Sequence, residues 1–355
     1  EMTVVWKLPQ NLKEKDSNLA LDVVDLFGDT QETFLADFDW AAECRDEDDI
    51  ELDRKFAEKL NQAMAGYRAK LQPDDEVIIL SVDAATTGRL AVTYYQEVPG
   101  NEFIDRVLHW HQNCTWPRWI KLHETKKWVF INNTAPSPNE IALAAYGTEQ
   151  EKGYLACSDK LKKTTIRRIL PCIIGLSPKI PADIVKAAVN RASNPQAYSS
   201  FVWQNCVAPV ACAMIKYNEF DGKVNSMELE KDRSYLFGQL LAILEKVEER
   251  ALYLQESKTD DRLTNAKKMW NVYTRRPAIT YERLYSHIVR AYLKRLNPDA
   301  RAKIENEIMQ IINVLRETDG FNNNPLNERY LLGYYEEREK LMKSKGEKSN
   351  EGGEE

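Results

Sequence analysis

Residues 262–303 read RLTNAKKMWNVYTRRPAITYERLYSHIVRAYLKRLNPDARAK. Arg262, Lys267, Lys268, Arg275, Arg276, Arg283, Arg290, Lys294, Arg295, Arg301 and Lys303 oppose only Glu282 and Asp299, eleven positive charges against two negative. At roughly 100° per residue, a helix over Thr280–Leu296 gathers Arg283, His287, Arg290 and Lys294 within about 40° of one another. Tyr281, Leu284, Tyr285, Ile288, Tyr292 and Leu296 fall on the other side, and Arg295 sits at its edge. Such a helix buries an apolar stripe and offers a cationic ridge to a partner, which suits a phosphate backbone that sheds counterions on binding. A solvated face of a helical bundle is the competing reading.

Around this stretch the pattern is helical. Tyr235–Leu254 places apolar residues at 236, 240, 244, 247, 251 and 254, the spacing of a long bundle helix. Asn297-Pro298 marks the start of a helix with Ile304, Ile308, Ile311 and Leu315 inward, ending near Gly320. Asn324-Pro325 repeats that signal for a last helix, and GEKSNEGGEE reads as a disordered acidic tail. Toward the N-terminus, Ser158 caps a helix on which Lys160, Lys163 and Arg167 share one side, with Arg168 adjoining. Pro171, Gly175, Pro178 and Pro181 break the chain before a helix over Ile184–Ala192, and Phe201–Tyr217 is mostly apolar.

The first part differs. Residues 3–6 read as a strand, and 77–82 and 89–98, joined by DAATTG, as a hairpin. A helix over Glu102–Gln112, a strand over Lys127–Asn132 and a helix over Asn139–Tyr146 follow. The expected fold is therefore α+β and mainly α-helical. A part with a β-hairpin and short strands (1–157) leads to a helical connecting region (158–227), an antiparallel helical bundle (228–345) and the tail (346–355).

The formal net charge is −6, unevenly spread. Residues 1–100 carry 22 acidic against 10 basic side chains, whereas Lys160–Arg191 carries eight basic residues against Asp183 alone. Opposite signs in the two halves imply partners of different charge. Six cysteines without a CxxC pair fit a reduced, cytoplasmic protein, and no apolar run is long enough to span a membrane. The opening at Glu1, directly into an apolar run, reads as a chain beginning partway through a larger protein.

Catalytic signatures are missing: no phosphate loop, GxGxxG, GxSxG, HExxH or cysteine–histidine zinc spacing is present. No enzymatic role, cofactor or metal is expected. The acidic run Asp46–Asp53 reads as a helix start rather than a two-metal nuclease site. His109 and His111 are two apart on a helix and face apart, so even with His123 they make a poor zinc set. Trp270, Tyr273, Tyr281, Tyr285 and Tyr292 could stack on unpaired bases, although at helical spacing they fit a core better.

Tyr235–Leu252 (YLFGQLLAILEKVEERAL), Met269–Leu296 (MWNVYTRRPAITYERLYSHIVRAYLKRL) and Asn327–Glu339 (NERYLLGYYEERE) resemble, in order and spacing, the C-terminal helical part of one family. That family is the large subunit of the type I-C CRISPR surveillance complex, Cascade. Ile169–Pro195 and the hairpin VIILSVDAATTGRLAVTYY are similar to its middle region, so the resemblance runs from about Val77 onward. It implies a non-catalytic subunit of an RNA-guided DNA-binding complex in antiviral defence, with the flanking-motif reader, which belongs to the family's N-terminal region, outside this chain. Implied partners are the CRISPR RNA-bound backbone subunits, the RNA-processing subunit, target DNA and a recruited helicase–nuclease. It also implies a small subunit translated from an internal start, for which Met214 and Met227 are candidates. The combined expectation is that Lys160, Lys163, Arg167, Arg168, Arg275, Arg276, Arg283, Arg290 and Lys294 contact DNA phosphates. The alternative is a helical scaffold docking on acidic protein partners without touching nucleic acid.

Overall fold

The computed structural model describes residues 3–8, 76–86, 89–121, 128–131, 135–151, 153–220, 229–253, 264–286 and 290–350. They fall into two compact units, one within Glu1–Ala188 and Phe201–Lys223, the other within Val189–Ser200 and Val224–Glu355. The helical connecting region 158–227 is thus not a body of its own; most of it packs with the first unit.

In the first unit, β1 (Thr3–Leu8), β2 (Glu76–Thr86) and β3 (Arg89–Pro99) form an antiparallel sheet in the order β1-β2-β3. The expected hairpin is β2–β3, in register Val77↔Val98 and Ile79↔Gln96, and the strand at the chain start pairs with β2. Alternation turns Val77, Ile79 and Val98 inward, where Phe103, Ile104 and Val107 of α1 (Gly100–Asn113) cover them. Each such side chain, fully buried, stabilises the unit by roughly 1.5–3 kcal/mol. A two-stranded pair, β4 (Arg118–Lys121) and β5 (Trp128–Ile131), precedes α2 (Pro138–Tyr146). Ser137 and Glu140 close a capping box at the start of α2, and the Glu140 carboxylate also accepts from buried Arg118 at 2.7 and 3.1 Å. Burial opposes ionisation of Glu140, yet Arg118 and the Ser137 amide hold its carboxyl below the usual range.

The short pair β6 (Thr148–Glu149) and β7 (Leu155–Ala156) leads into α3 (Asp159–Ile173), capped by Ser158 as expected. Pro171 does not end α3; it sits in the last turn, and termination comes at Gly175, whose φ of 68° is a left-handed cap. Helix α4 (Ala182–Ala192) follows, and the division between the two units runs through it. Ser200–Val202, the π-helical turn Trp203–Val207 and α5 (Ala208–Phe220) supply the apolar run. From α5 the Asn218 side chain bonds both the amide and the carbonyl of Ile180, each at 2.8 Å.

The second unit is built on α6 (Arg233–Tyr253) and α12 (Arg329–Asn350). Of the expected stripe of α6, Leu236, Leu240, Leu244, Val247 and Ala251 are buried and Leu254 lies outside the described residues; Tyr235, Phe237, Leu241, Ile243, Glu245 and Glu248 are buried as well, so α6 is a central helix rather than one with a wet face. An antiparallel arrangement does not describe this pair. Asp232, just before α6, binds Arg329 at the start of α12 (3.0 Å), and Glu249 and Arg338, farther along both helices, meet at 3.2 Å, so the two helices run in the same sense.

They cross at Gly238 and Gly333. A Cβ on either glycine would lie 2.0 Å from a backbone oxygen of the other helix, Tyr330 or Tyr235 respectively. The tetrapeptides involved, YLFG and YLLG, agree at three of four positions. Glycine is unfavourable inside a helix by roughly 0.5–1 kcal/mol relative to alanine, and here it permits backbone contact.

Between them, α7 (Asn265–Lys268), α8 (Trp270–Arg275), α9 (Pro277–Leu284), α10 (Arg290–Leu293) and α11 (Pro298–Glu317) complete the unit. Asn297 caps α11 through Ala300 N at 2.7 Å, as expected. Ile308 and Leu315 are buried, and Ile304 and Ile311 are half-buried. The last helix starts at Arg329, whose amide meets Asn327 Oδ1 (3.1 Å), so Asn324-Pro325 belongs to the preceding loop. It extends to Asn350, into the segment that composition assigns to the tail.

Candidate nucleic-acid interface

On α3, Lys160 is exposed and Lys163 and Arg167 are half-buried. Arg168 is engaged: its guanidinium forks onto Asp183 of α4 at 2.7 and 2.5 Å. The hydrogen bond from Arg168 lowers the Asp183 pKa, and the same bond raises that of Arg168. The single acidic residue among eight basic ones is therefore spent on a predicted phosphate contact, which sequence distance concealed.

In the second unit, Thr280–Leu296 is not one described helix. Helix α9 begins earlier, because Pro277 is well suited to a first helical position, and it closes through Tyr285. Helix α10 begins at Arg290, and residues 287–289, with His287, lie outside the described residues. Sidedness matches the expectation: Tyr281, Leu284 and Leu296 are buried, Tyr285 and Tyr292 half-buried, and Arg283, Arg290 and Lys294 exposed. Arg275 and Arg276 are exposed at the α8–α9 junction, and Arg295 lies over the Tyr292 ring at 5.1 Å. Among the described residues, none of Arg275, Arg276, Arg283, Arg290 and Lys294 forms an ion pair.

Not all of the surplus charge is left unpaired. Lys267 is buried and meets Glu245 Oε1 at 3.1 Å, and Arg301 meets Glu305 at 2.9 Å. Glu245 also meets Arg338 at 3.2 Å and accepts from the Tyr334 hydroxyl. Burial alone would raise its pKa, but Arg338 and Lys267 hold it below the usual range. Beside it, Glu248 accepts from the amide and side chain of Asn265 at 2.8 and 2.7 Å.

Base stacking by Trp270 and Tyr273 is excluded by burial, since they are 1% and 0% exposed. Trp270 Nε1 donates to the Tyr330 hydroxyl at 3.1 Å, and the Tyr273 hydroxyl to the Phe237 carbonyl at 2.8 Å. His109 packs edge-on against Tyr217, while burial pushes His111 down to about 4. Among the described residues no cluster of three His, Cys, Asp or Glu side chains could hold a metal; Asp46–Asp53 and His123 lie outside them. No helix among the described residues is long and apolar enough to cross a membrane.

The sequence reading missed Arg233 and the loop after α11. Arg233 Nε donates to the Gly320 carbonyl at 2.8 Å, Nη2 to the Asn322 and Asn324 carbonyls at 2.9 and 2.6 Å, and Nη1 to the Pro325 carbonyl at 3.4 Å. The run FNNNP was the visible signal, since Asn clusters mark turns held by their own side chains.

What the geometry defines is a mainly helical α+β protein whose second unit exposes cations opposite a buried aromatic stripe. The chain belongs to the family described as CRISPR-associated protein (Cas_Csd1), which matches residues 1–342. That match takes in the part before Val77, where the sequence resemblance began. No curated protein sequence matches the chain.

Proposed function

We propose that this chain serves antiviral defence as a non-catalytic large subunit of a type I-C CRISPR RNA-guided surveillance complex in the cytoplasm. In this reading it holds target or displaced DNA strands by their phosphates, base pairing with the guide RNA reads sequence, and a helicase–nuclease is recruited to the assembly. Its protein neighbours are the RNA-bound backbone subunits and the RNA-processing subunit. The observation that carries the reading is the set Arg275, Arg276, Arg283, Arg290 and Lys294, exposed and without ion-pair partners among the described residues, in a member of a CRISPR-associated family. Lys160, Lys163 and Arg167 are proposed as a second group, and Arg168 is left out because Asp183 holds it.

The test is target-DNA affinity of the assembled complex across a salt series, with Arg283→Glu, Arg290→Glu and Lys294→Glu combined. Weaker binding on all sequences and a shallower slope, by roughly 0.7–0.9 in log–log units per lost contact, supports the reading. Unchanged affinity removes it.

One observation favours the scaffold alternative: Val272 and Ile279, 50% and 56% exposed, flank Arg275 and Arg276, and aliphatics of that size suit a protein neighbour. Binding to single-stranded DNA with and without the backbone subunits separates the two readings.

A short C-terminal product is a further part of the proposal. Met214 is buried within α5, in the first unit, so a start there would carry part of that unit's core, whereas Met227 lies outside the described residues, just before α6. A product from Met227 would lack Ser193 and Gln196, which bond Tyr330 and the Lys267 carbonyl. Mass spectrometry of the intact gene's products, with no short C-terminal species found, would remove the idea.

A further inference from the structure

Helices α8 and α9 are six and eight residues long, too short to be stable unaided; Arg275 ends α8 and Arg276 joins it to α9, where the Arg276 amide donates to the Val272 carbonyl at 2.9 Å and the Thr280 hydroxyl to the Arg276 carbonyl at 2.7 Å. Arg276 stands at the N-cap of α9 without a side-chain cap, its backbone at φ −141° and ψ 68°. Beyond these local bonds, the junction is held from 44 or more residues away, by the loop after α11. The Ile279 amide, in the first turn of α9, donates to Asn323 Oδ1 at 3.0 Å. The Thr274 carbonyl, in the last turn of α8, accepts from the Leu326 amide at 2.8 Å. The loop thus grips the chain on both sides of the two arginines, satisfying groups that short helix ends leave open.

That loop is in turn shaped by one cation. Arg233, in the first turn of α6, gathers the Gly320, Asn322 and Asn324 carbonyls around its guanidinium and rests over the Phe237 ring at 5.3 Å. Asn322 closes the loop on itself, its Nδ2 donating to the Asp319 carbonyl at 3.0 Å and its Oδ1 accepting from the Asn324 amide at 3.1 Å. Phe321 stacks on Phe237 and meets Tyr281 of α9 edge-on, at 5.8 and 5.9 Å. A planar fork suits several carbonyls at fixed angles; a lysine ammonium would not reproduce it.

We infer that Arg233 is a positioning residue for the Arg275–Arg276 pair: by organising the loop from Gly320 to Leu326 it fixes the α8–α9 junction that presents these two guanidiniums to a phosphate backbone. The inference rests on the nucleic-acid reading above and deepens it. In this reading Arg233 itself is not a phosphate contact, since four of its five N–H donors go to loop carbonyls.

The test uses the assembled complex and its target duplex. Arg233→Met is expected to weaken binding about fivefold to tenfold, as loss of the equivalent of one or two phosphate contacts does, with a shallower salt slope. Arg233→Lys is expected to recover only part of this. Added to Arg275→Ala with Arg276→Ala, the Arg233 change is expected to cost nothing further, because the pair it positions is gone. An equal loss in both backgrounds overturns the inference, since general destabilisation ignores which arginines are present. Asn323→Ala avoids the risk of misfolding, its side chain being exposed, and is expected to reproduce the effect more weakly, with Asn323→Asp restoring it. Hydrogen exchange at Ile279 reads positioning without DNA: faster exchange in Arg233→Met is expected, and unchanged exchange overturns the inference whatever DNA does. Full affinity in Arg275→Ala with Arg276→Ala overturns the phosphate role of the pair itself, even where exchange shows that Arg233 holds the junction.

Discussion

The two units treat their basic helices in different ways. On α3 in the first unit, Arg168 is neutralised by Asp183 and two of its basic neighbours are half-buried. On α9 and α10 in the second unit, the cations stand opposite a buried stripe with no carboxylate partner among the described residues, while the acidic side chains of that unit's core, Glu245 and Glu248, are occupied internally. The lesson is that a surplus of charge counted along a sequence is not the charge offered to a partner. Lys267 counts toward the surplus and is buried on Glu245; Arg283 counts equally and is exposed.

The largest expected effect tests whether the units are separate bodies. Gly238→Leu forces a side chain where a Cβ alone would lie 2.0 Å from the Tyr330 oxygen, and should cost the second unit at least about 3 kcal/mol. Removing the carboxylate with Glu245→Ala takes the shared anion from buried Lys267 and from Arg338, which keeps Glu249, and should cost roughly 3 kcal/mol. In urea unfolding followed by hydrogen exchange, both should lower protection in α6 and α12 and leave α1 and the β2–β3 hairpin alone. Equal loss in both places would merge the units.

Next in size is the contrast between the basic faces. Reversing Arg283, Arg290 and Lys294 should weaken target-DNA binding by roughly tenfold to a hundredfold, on the order of 1.4–2.8 kcal/mol. Reversing Lys160, Lys163 and Arg167 should do less, because two of these side chains are already partly committed to the fold. Titration of the assembled complex at fixed salt ranks the two, and a larger effect in the first unit would invert the comparison.

A smaller effect separates the units by pH. The folded pKa of His111, about 4, lies below its ordinary 6.5, so burial favours the neutral ring. Its contribution is complete above pH 6.5 and is lost as pH falls from there toward 4. Glu245 is shifted below its ordinary 4.5, so its contribution holds above that pH and fades only below it. The first unit should therefore weaken first on acidification, and His111→Phe should remove that early loss. The smallest expected change is Arg168→Gln. An exposed ion pair contributes about 0–1 kcal/mol, and DNA affinity should barely move.

Much of this was legible in the sequence where a signal is local. The β2–β3 hairpin, the Ser158 and Asn297 caps, the apolar stripe of α6 and the sidedness of Arg283, Arg290 and Lys294 follow from alternation, helical spacing and capping chemistry. Signals that depend on distant partners were not legible. Arg118 meets Glu140 across 22 positions, Arg168 meets Asp183 across 15, and Arg233 reaches carbonyls 87 to 92 positions away. Gly238 and Gly333 each look like a weak point in a helix until the other is brought against it.

Periodicity alone determined that this chain is mainly helical after an early hairpin, and which side of the Tyr281–Leu296 stretch carries its cations, because side-chain direction repeats with the backbone. Tertiary structure decided which of those cations remain available, the shared sense of α6 and α12, and the grip of the Arg233 loop on the α8–α9 junction. Each depends on groups far apart in the chain meeting within a few ångströms, and no repeat along one strand or helix encodes the identity of its partner.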